Sequence, residues 1–174
     1  SILPGDTLHA YYNEYGSLAL LAVLPGTSIS HANTFVYGIA TSANIPSEYK
    51  IVKNGAVIDP SGLKKYDVVT LDAANRQALV SDTRVSGRYS EGGPTVSYPQ
   101  EVKVYGNSFR ISDSAAAFFK DMKLKDYITL LFDADGNVAA AYPRSTVSAD
   151  MQGIVTAIDE GKATVTLTNG ITLR

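Results

Sequence analysis

Among side chains able to do chemistry, the histidines come first, because there are only two, His9 and His31. His9 follows Leu8 in an alternating stretch, at a position where later copies of the same stretch carry threonine. His31 lies in the polar run Ser28-Ile-Ser-His-Ala-Asn33. A Ser-His-Asp triad needs a nucleophile, a base and an orienting carboxylate held together, and the chain has no Gly-x-Ser-x-Gly elbow. Both histidines are therefore read as structural or solvent-facing, and no catalytic residue is assigned. The turn Asp133-Ala-Asp-Gly-Asn137 carries oxygens at calcium-loop spacing. Such a loop also needs a bidentate glutamate near its twelfth position, and Val138-Ala-Ala-Ala-Tyr142 supplies no ligand. A hairpin turn explains it better, so no metal and no cofactor are expected. Cysteine is absent, which removes disulfides, thiolate metal sites and cysteine nucleophiles together.

Two further sets of residues stand out. Asp6, Asp67 and Asp126 recur about 60 residues apart, the length of one structural repeat. Equivalent positions in separate copies need not converge, so these carboxylates are expected to close the turn before a strand by accepting backbone N–H bonds. The second set is aromatic: 11 tyrosines and no tryptophan. Tyr11, Tyr12 and Tyr15 cluster in one predicted hairpin, and Tyr89 and Tyr98 flank the loop Glu91-Gly-Gly-Pro94. An exposed aromatic face stacks on sugar rings, so these five are the candidate ligand-binding residues. Tyrosine's preference for strands is the competing explanation. The loop from Ser90 to Gln100 is a further candidate contact surface.

The elements that position these residues repeat. Gly5-Asp-Thr-Leu-His-Ala-Tyr-Tyr-Asn-Glu-Tyr-Gly-Ser-Leu-Ala-Leu20 aligns without a gap on Lys125-Asp-Tyr-Ile-Thr-Leu-Leu-Phe-Asp-Ala-Asp-Gly-Asn-Val-Ala-Ala140, and Tyr66–Val80 is a third copy with a shorter turn. Each predicts a strand, a tight polar turn and a returning apolar strand. The other half of the unit comprises Tyr49–Ile58, Glu101–Ile111 and Ala163–Leu173, with hairpin signals at Asn54-Gly55, Gly106-Asn107 and Asn169-Gly170. Gly38, Gly87 and Gly153 are expected to open the strand before each of these. One short helix is predicted at 113–122, capped by Asp113, with Ala115, Phe118, Phe119 and Met122 on one face. Pro60-Ser-Gly62 takes its place in the preceding copy as a turn.

Five strands with a plug helix before the fourth predict an all-β fold of tandem small five-stranded OB-like or Greek-key barrels. The expected boundaries are an N-terminal half unit at 1–35, barrels at 36–84 and 85–145, and a C-terminal half unit at 150–174. The two halves are expected either to pair as one permuted unit or to be two stubs left by the cut. Hydrophobic residues at 45% suffice for packed cores, and 18% charged residues with a net charge of −2 give no basic footprint for nucleic acid. The longest apolar run, Leu18–Leu24, is strand-sized, so no membrane span is expected. The start, Ser1-Ile-Leu-Pro-Gly-Asp6, has no basic n-region or apolar h-region and reads as a cut inside a longer chain.

The stretches Leu63–Asn75, Leu79–Tyr89, Val102–Phe109, Leu124–Leu131 and Asp135–Val138 resemble the β-rich region that accompanies S-layer homology modules in secreted proteins of Firmicutes. The resemblance covers residues 60–145 best. It implies an exported, extracellular and cell-wall-associated context, with no catalytic residue to carry over. The expected function is a non-catalytic structural or adhesion module whose partners are other surface-protein copies or cell-wall polysaccharide. The alternative is a carbohydrate- or wall-polysaccharide-binding module using the tyrosine face.

Overall fold

The computed structural model describes residues 8–13, 15–23, 34–39, 44–149, 153–159, 161–167 and 171–173. It is an all-β chain, with two short stretches of 3-10 helix among the described residues. Among the described residues no helix is long and apolar enough to cross a membrane.

The first strands, β1 (Leu8–Tyr12) and β2 (Leu18–Val23), form an antiparallel hairpin. The next group, called the first unit for reference, contains β3 (Thr34–Val36), β4 (Lys50–Lys53), β5 (Ala56–Ile58), β6 (Val68–Asp72) and β7 (Gln77–Ser81). They lie in one sheet in the order β3-β6-β7-β4-β5, with β4 parallel to β7. The second unit contains β8 (Arg84–Arg88), β9 (Glu91–Gly93), β10 (Glu101–Val104), β11 (Asn107–Arg110), β12 (Tyr127–Phe132) and β13 (Val138–Pro143). Its two three-stranded sheets, β13-β12-β8 and β11-β10-β9, are linked by a parallel bridge between Ile111 and Val138. The last strands, β14 (Gly153–Asp159), β15 (Lys162–Leu167) and β16 (Thr172–Leu173), form an antiparallel meander.

The repeat read from the sequence reappears as hydrogen-bond geometry. In the first hairpin Tyr11 pairs with Leu20 and, past a bulge, Tyr12 with Leu18. In β12–β13 the aligned residues do the same: Leu131 pairs with Ala140 and, past a bulge, Phe132 with Val138. The turns match too. The Asn13 side-chain oxygen accepts from Tyr15 N and Ser17 N, as Asp133 Oδ1 accepts from Asp135 N and Asn137 N. A side-chain acceptor at the first turn position satisfies two N–H groups that a hairpin otherwise leaves to water. That explains why only Asn and Asp occupy the site.

Three local expectations need correction. Gly38 lies in a turn and Gly87 inside β8, so of the three glycines only Gly153 opens a strand. Hydrogen bonding makes Tyr37 the equivalent of Tyr89: Tyr37 N donates to Asp67 O and Tyr89 N to Asp126 O. The helix is a 3-10 stretch, Asp113–Phe119, capped by the extended backbone of Ser112 with no side-chain cap bond, so Asp113 sits in its first turn. With three residues per turn, adjacent Phe118 and Phe119 point apart. Ala115, Phe119 and nearby Met122 are buried and Phe118 lies at the rim. Finally, the turn after β10 is Tyr105-Gly106, both at positive φ, the conformation that Asn54-Gly55 adopts after β4.

Burial follows the pattern of the strands. Val102 and Val104 point inward from β10 with exposed or half-buried neighbours. By contrast Ile128–Phe132 is buried on both faces, as a continuous apolar run requires. Ile128, Leu130 and Phe132 face the second unit's own core with Tyr89, Val102, Val104 and Phe119. Leu131 faces the other way.

Candidate functional site

Leu131, Ala139 and Ala140 of the second unit form one buried cluster with Val36 and Val68 of the first. The alanines bring two sheets close, and Tyr66 and Tyr142 seal the edge with ring centroids 5.3 Å apart. Only Asp82 and Thr83 separate β7 from β8, so the units meet without a linker. The joint recurs downstream. Leu167 and Leu173 of the meander are buried in the second unit's core cluster, and Val165 and Ile171 pack against it. Ser86 and Thr129 share a buried hydrogen bond of 2.6 Å, and their hydroxyls bond the backbone of Ala149 and Val147. These bonds lead the chain from the second unit into the meander.

A polar cluster flanks the first joint. Asp67 is fully buried, and its Oδ2 accepts from Lys53 Nζ at 2.8 Å and from Lys64 N at 2.9 Å. Lys53 also reaches Asp82 at 3.2 Å, and Arg84 Nη2 lies 3.8 Å from Asp67 Oδ1. Burial works against the Lys53 charge, but the hydrogen bonds and charges of Asp67 and Asp82 outweigh it and raise its pKa. Burial likewise works against Asp82, yet hydrogen bonds from Asn54 and Lys53 hold its carboxyl below the usual range. Asp126 repeats the backbone part of the motif, accepting from Lys123 N at 2.8 Å. The aspartates thus close turns, as their spacing suggested, and Asp67 adds an ion pair. Asp6 lies outside the described residues.

The predicted tyrosine set does not form one face. Tyr12 and Tyr15 are exposed, at 66% and 83%. Tyr11 lies on β1, its side chain outside the described residues, as is that of His9; His31 lies outside them altogether. Tyr89 is corrected. It is wholly buried against Phe119, centroids 5.6 Å apart, and donates its hydroxyl to Val96 O at 2.7 Å. Burial pushes its pKa up to about 12. A ring with no open face cannot stack on a ligand, so Tyr98, half exposed across the same loop, stands alone.

Sequence reasoning missed a different aromatic site. A groove of about 480 Å³ is lined by Phe118, Asp121, Met122, Asp126, Tyr127 and Tyr142, among others. Tyr127 is 45% exposed, with the guanidinium carbons of Arg88 and Arg144 lying 5.3 and 5.6 Å from its ring centroid. The Tyr142 hydroxyl is buried and finds no hydrogen-bond partner among the described residues, and burial, then Tyr66, raises its pKa. The signal lay in strand register, which sets Arg88 opposite Tyr127 and brings Arg144 N to Tyr127 O. No local motif encodes that. Among the described residues no three of His, Cys, Asp and Glu converge as metal ligands.

Comparison with protein-family models, curated proteins and solved structures finds no match to this chain.

Proposed function

We propose that the chain is a non-catalytic structural module of a bacterial surface protein, built as tandem OB-like barrels in a stiff row. The observation that carries this is the shared core: Leu131, Ala139 and Ala140 pack with Val36 and Val68 across a two-residue connection. Units meant to move independently are joined by linkers and by small, polar contacts. Here the joint is apolar and fully buried, as a supporting element needs. The barrel description draws support from the second unit. Its pairings run β8-β12-β13, cross the Ile111–Val138 bridge to β11 and β10, and return to β9 just after β8. The first unit has its β4 beside β7 instead, so the two are variants of one plan. An extracellular, wall-associated setting rests on the S-layer-protein resemblance, and its partners would be other surface-protein copies or wall polysaccharide.

The test is binding of the 174-residue chain to a glycan array and to purified bacterial cell wall, beside localisation by antibody on intact source cells. Surface labelling with no saturable glycan binding is the expected result. Labelling only after lysis would overturn it. A second account is favoured by the aromatic groove: half-exposed Tyr127 beside Asp121 and Asp126 suits a sugar ring stacked on the aromatic, its hydroxyls donating to the carboxylates. Saturable binding lost in Tyr127→Ala would establish that account instead.

A further inference from the structure

We propose that a cleft between the first and second units binds a small aromatic amine, a flat ring carrying an ammonium arm. The site is separate from the Tyr127 groove and does not depend on a cell-surface setting.

Strand register shows how the cleft arises. Val36 pairs with Val68, and both lie on the face of the first sheet that meets the second unit. Thr70, two residues beyond Val68, shares that face. Pairing carries it across the sheet from Thr70 to Leu79, then to Val52, then to Val57. Val36 and Val68 are buried, Leu79 and Val52 half-buried, and Val57 70% exposed. One apolar face therefore begins in the seam between the units and opens toward solvent. Opposite Leu79 and Val52 stand Phe109, Phe132 and Ile171, the two phenyl rings edge to face with centroids 5.2 Å apart. The space between these walls is about 410 Å³. Small-molecule sites occupy roughly 300–1,000 Å³.

Two apolar walls call for an occupant that is apolar on both faces. An aromatic ring meets that demand and packs well beside Phe109. A sugar ring would press hydroxyls against aliphatic side chains. Charge then selects the substituent. On one side Asn54, which lines the cleft, donates to Asp82 Oδ1 at 3.2 Å. The other side is the turn that carries Asp133 and Asp135. Lys53 already pairs with Asp67 and Asp82, so Asp133 is the principal selecting charge. Its turn does not require a carboxylate, because Asn13 accepts the same two backbone bonds in the first hairpin. At Asp133 a negative charge is buried in the cleft wall where an amide would serve the fold. Burying a charge is costly, and a cation beside it offsets the cost.

The test is titration of the isotope-labelled 174-residue chain, followed by amide chemical shifts, with phenethylamine and with 3-phenylpropionate. Saturable shifts are expected on both walls, at Val52 and Leu79 and at Phe109 and Gly136. The amine should bind about tenfold more tightly than the acid, which carries the same ring on an arm of opposite charge. Butylamine, which lacks the ring, should give no saturable shifts. Asp133→Asn keeps the turn bonds and should remove most of the preference for the amine. Val52→Trp should fill the cleft and weaken the amine by about tenfold or more. Absence of saturable shifts with phenethylamine would overturn the proposal. So would equal affinity for the acid, saturable binding of butylamine, or shifts confined to the Tyr127 groove. An undiminished preference in Asp133→Asn would overturn it as well. If Val52→Trp does not fold, the shift map and Asp133→Asn still decide.

Discussion

At the scale of single residues, Asp67 and Asp126 show how one motif carries different weight in different surroundings. Both accept a backbone N–H three residues upstream, but only Asp67 is buried and faces Lys53. Asp67→Ala leaves the mostly buried Lys53 ammonium with half-exposed Asp82 as its remaining carboxylate partner and should cost about 1.5–3 kcal/mol. Asp126→Ala gives up one accessible hydrogen bond and should cost about 1 kcal/mol. Equilibrium denaturation of the two variants measures the difference. The same cluster sets a pH window. The lowered carboxyl of Asp82 contributes stability that is present above its ordinary pKa of 3.8 and lost as pH falls through its lower folded value. The raised Lys53 contributes stability that is present below 10.5 and lost as pH rises through its higher folded value. Melting temperature followed from pH 2 to 12 should therefore fall at both extremes, and Lys53→Met should flatten the alkaline arm. The spacing of the aspartates was plain in the sequence. The lysine partner was not, because Lys53 comes from a strand whose place beside β7 depends on the whole sheet.

At the scale of elements, hairpins were the most legible feature, since their register is local. The apolar alternation, the bulge and the Asn13 and Asp133 turns all follow from residues within a few positions of each other. The connection around Tyr89 was not legible. Its loop returns the backbone carbonyl of Val96 to the tyrosine hydroxyl, and Gly92 lies beneath that bond. A Cβ at Gly92 would stand 1.9 Å from the Tyr89 hydroxyl oxygen. Gly92→Ala should therefore expel the ring or break its hydrogen bond, costing about 1–3 kcal/mol. Near-ultraviolet circular dichroism together with a denaturation curve checks this, and an unchanged tyrosine signal would contradict it. Sequence alone offered Tyr89 as an exposed platform because an aromatic beside a glycine-rich loop looks the same whether the loop covers it or frames it.

At the scale of the whole chain, the joint between units should make their unfolding interdependent. Leu131 belongs to the second unit but is buried with Val36 and Val68 of the first. Leu131→Ala removes a packed side chain and should cost about 2–5 kcal/mol. Hydrogen exchange should then quicken in β6 of the first unit as well as in β12. Confinement of the change to β12 would mean that the units fold separately. The spacing of the recurring hairpins could be counted from the sequence. The different placement of β4 in the first unit could not, since parallel pairing leaves no turn signature.

The two-residue passage from β7 to β8 also has a mechanical side. A string of domains on flexible linkers lengthens under tension by straightening its linkers before any domain feels the load. Asp82 and Thr83 offer almost no such slack. A pull across this passage goes straight into the β6–β7 and β8–β12 ladders and the apolar seam between them. The passage from one sheet to the next therefore transmits load at once, with no linker to straighten first.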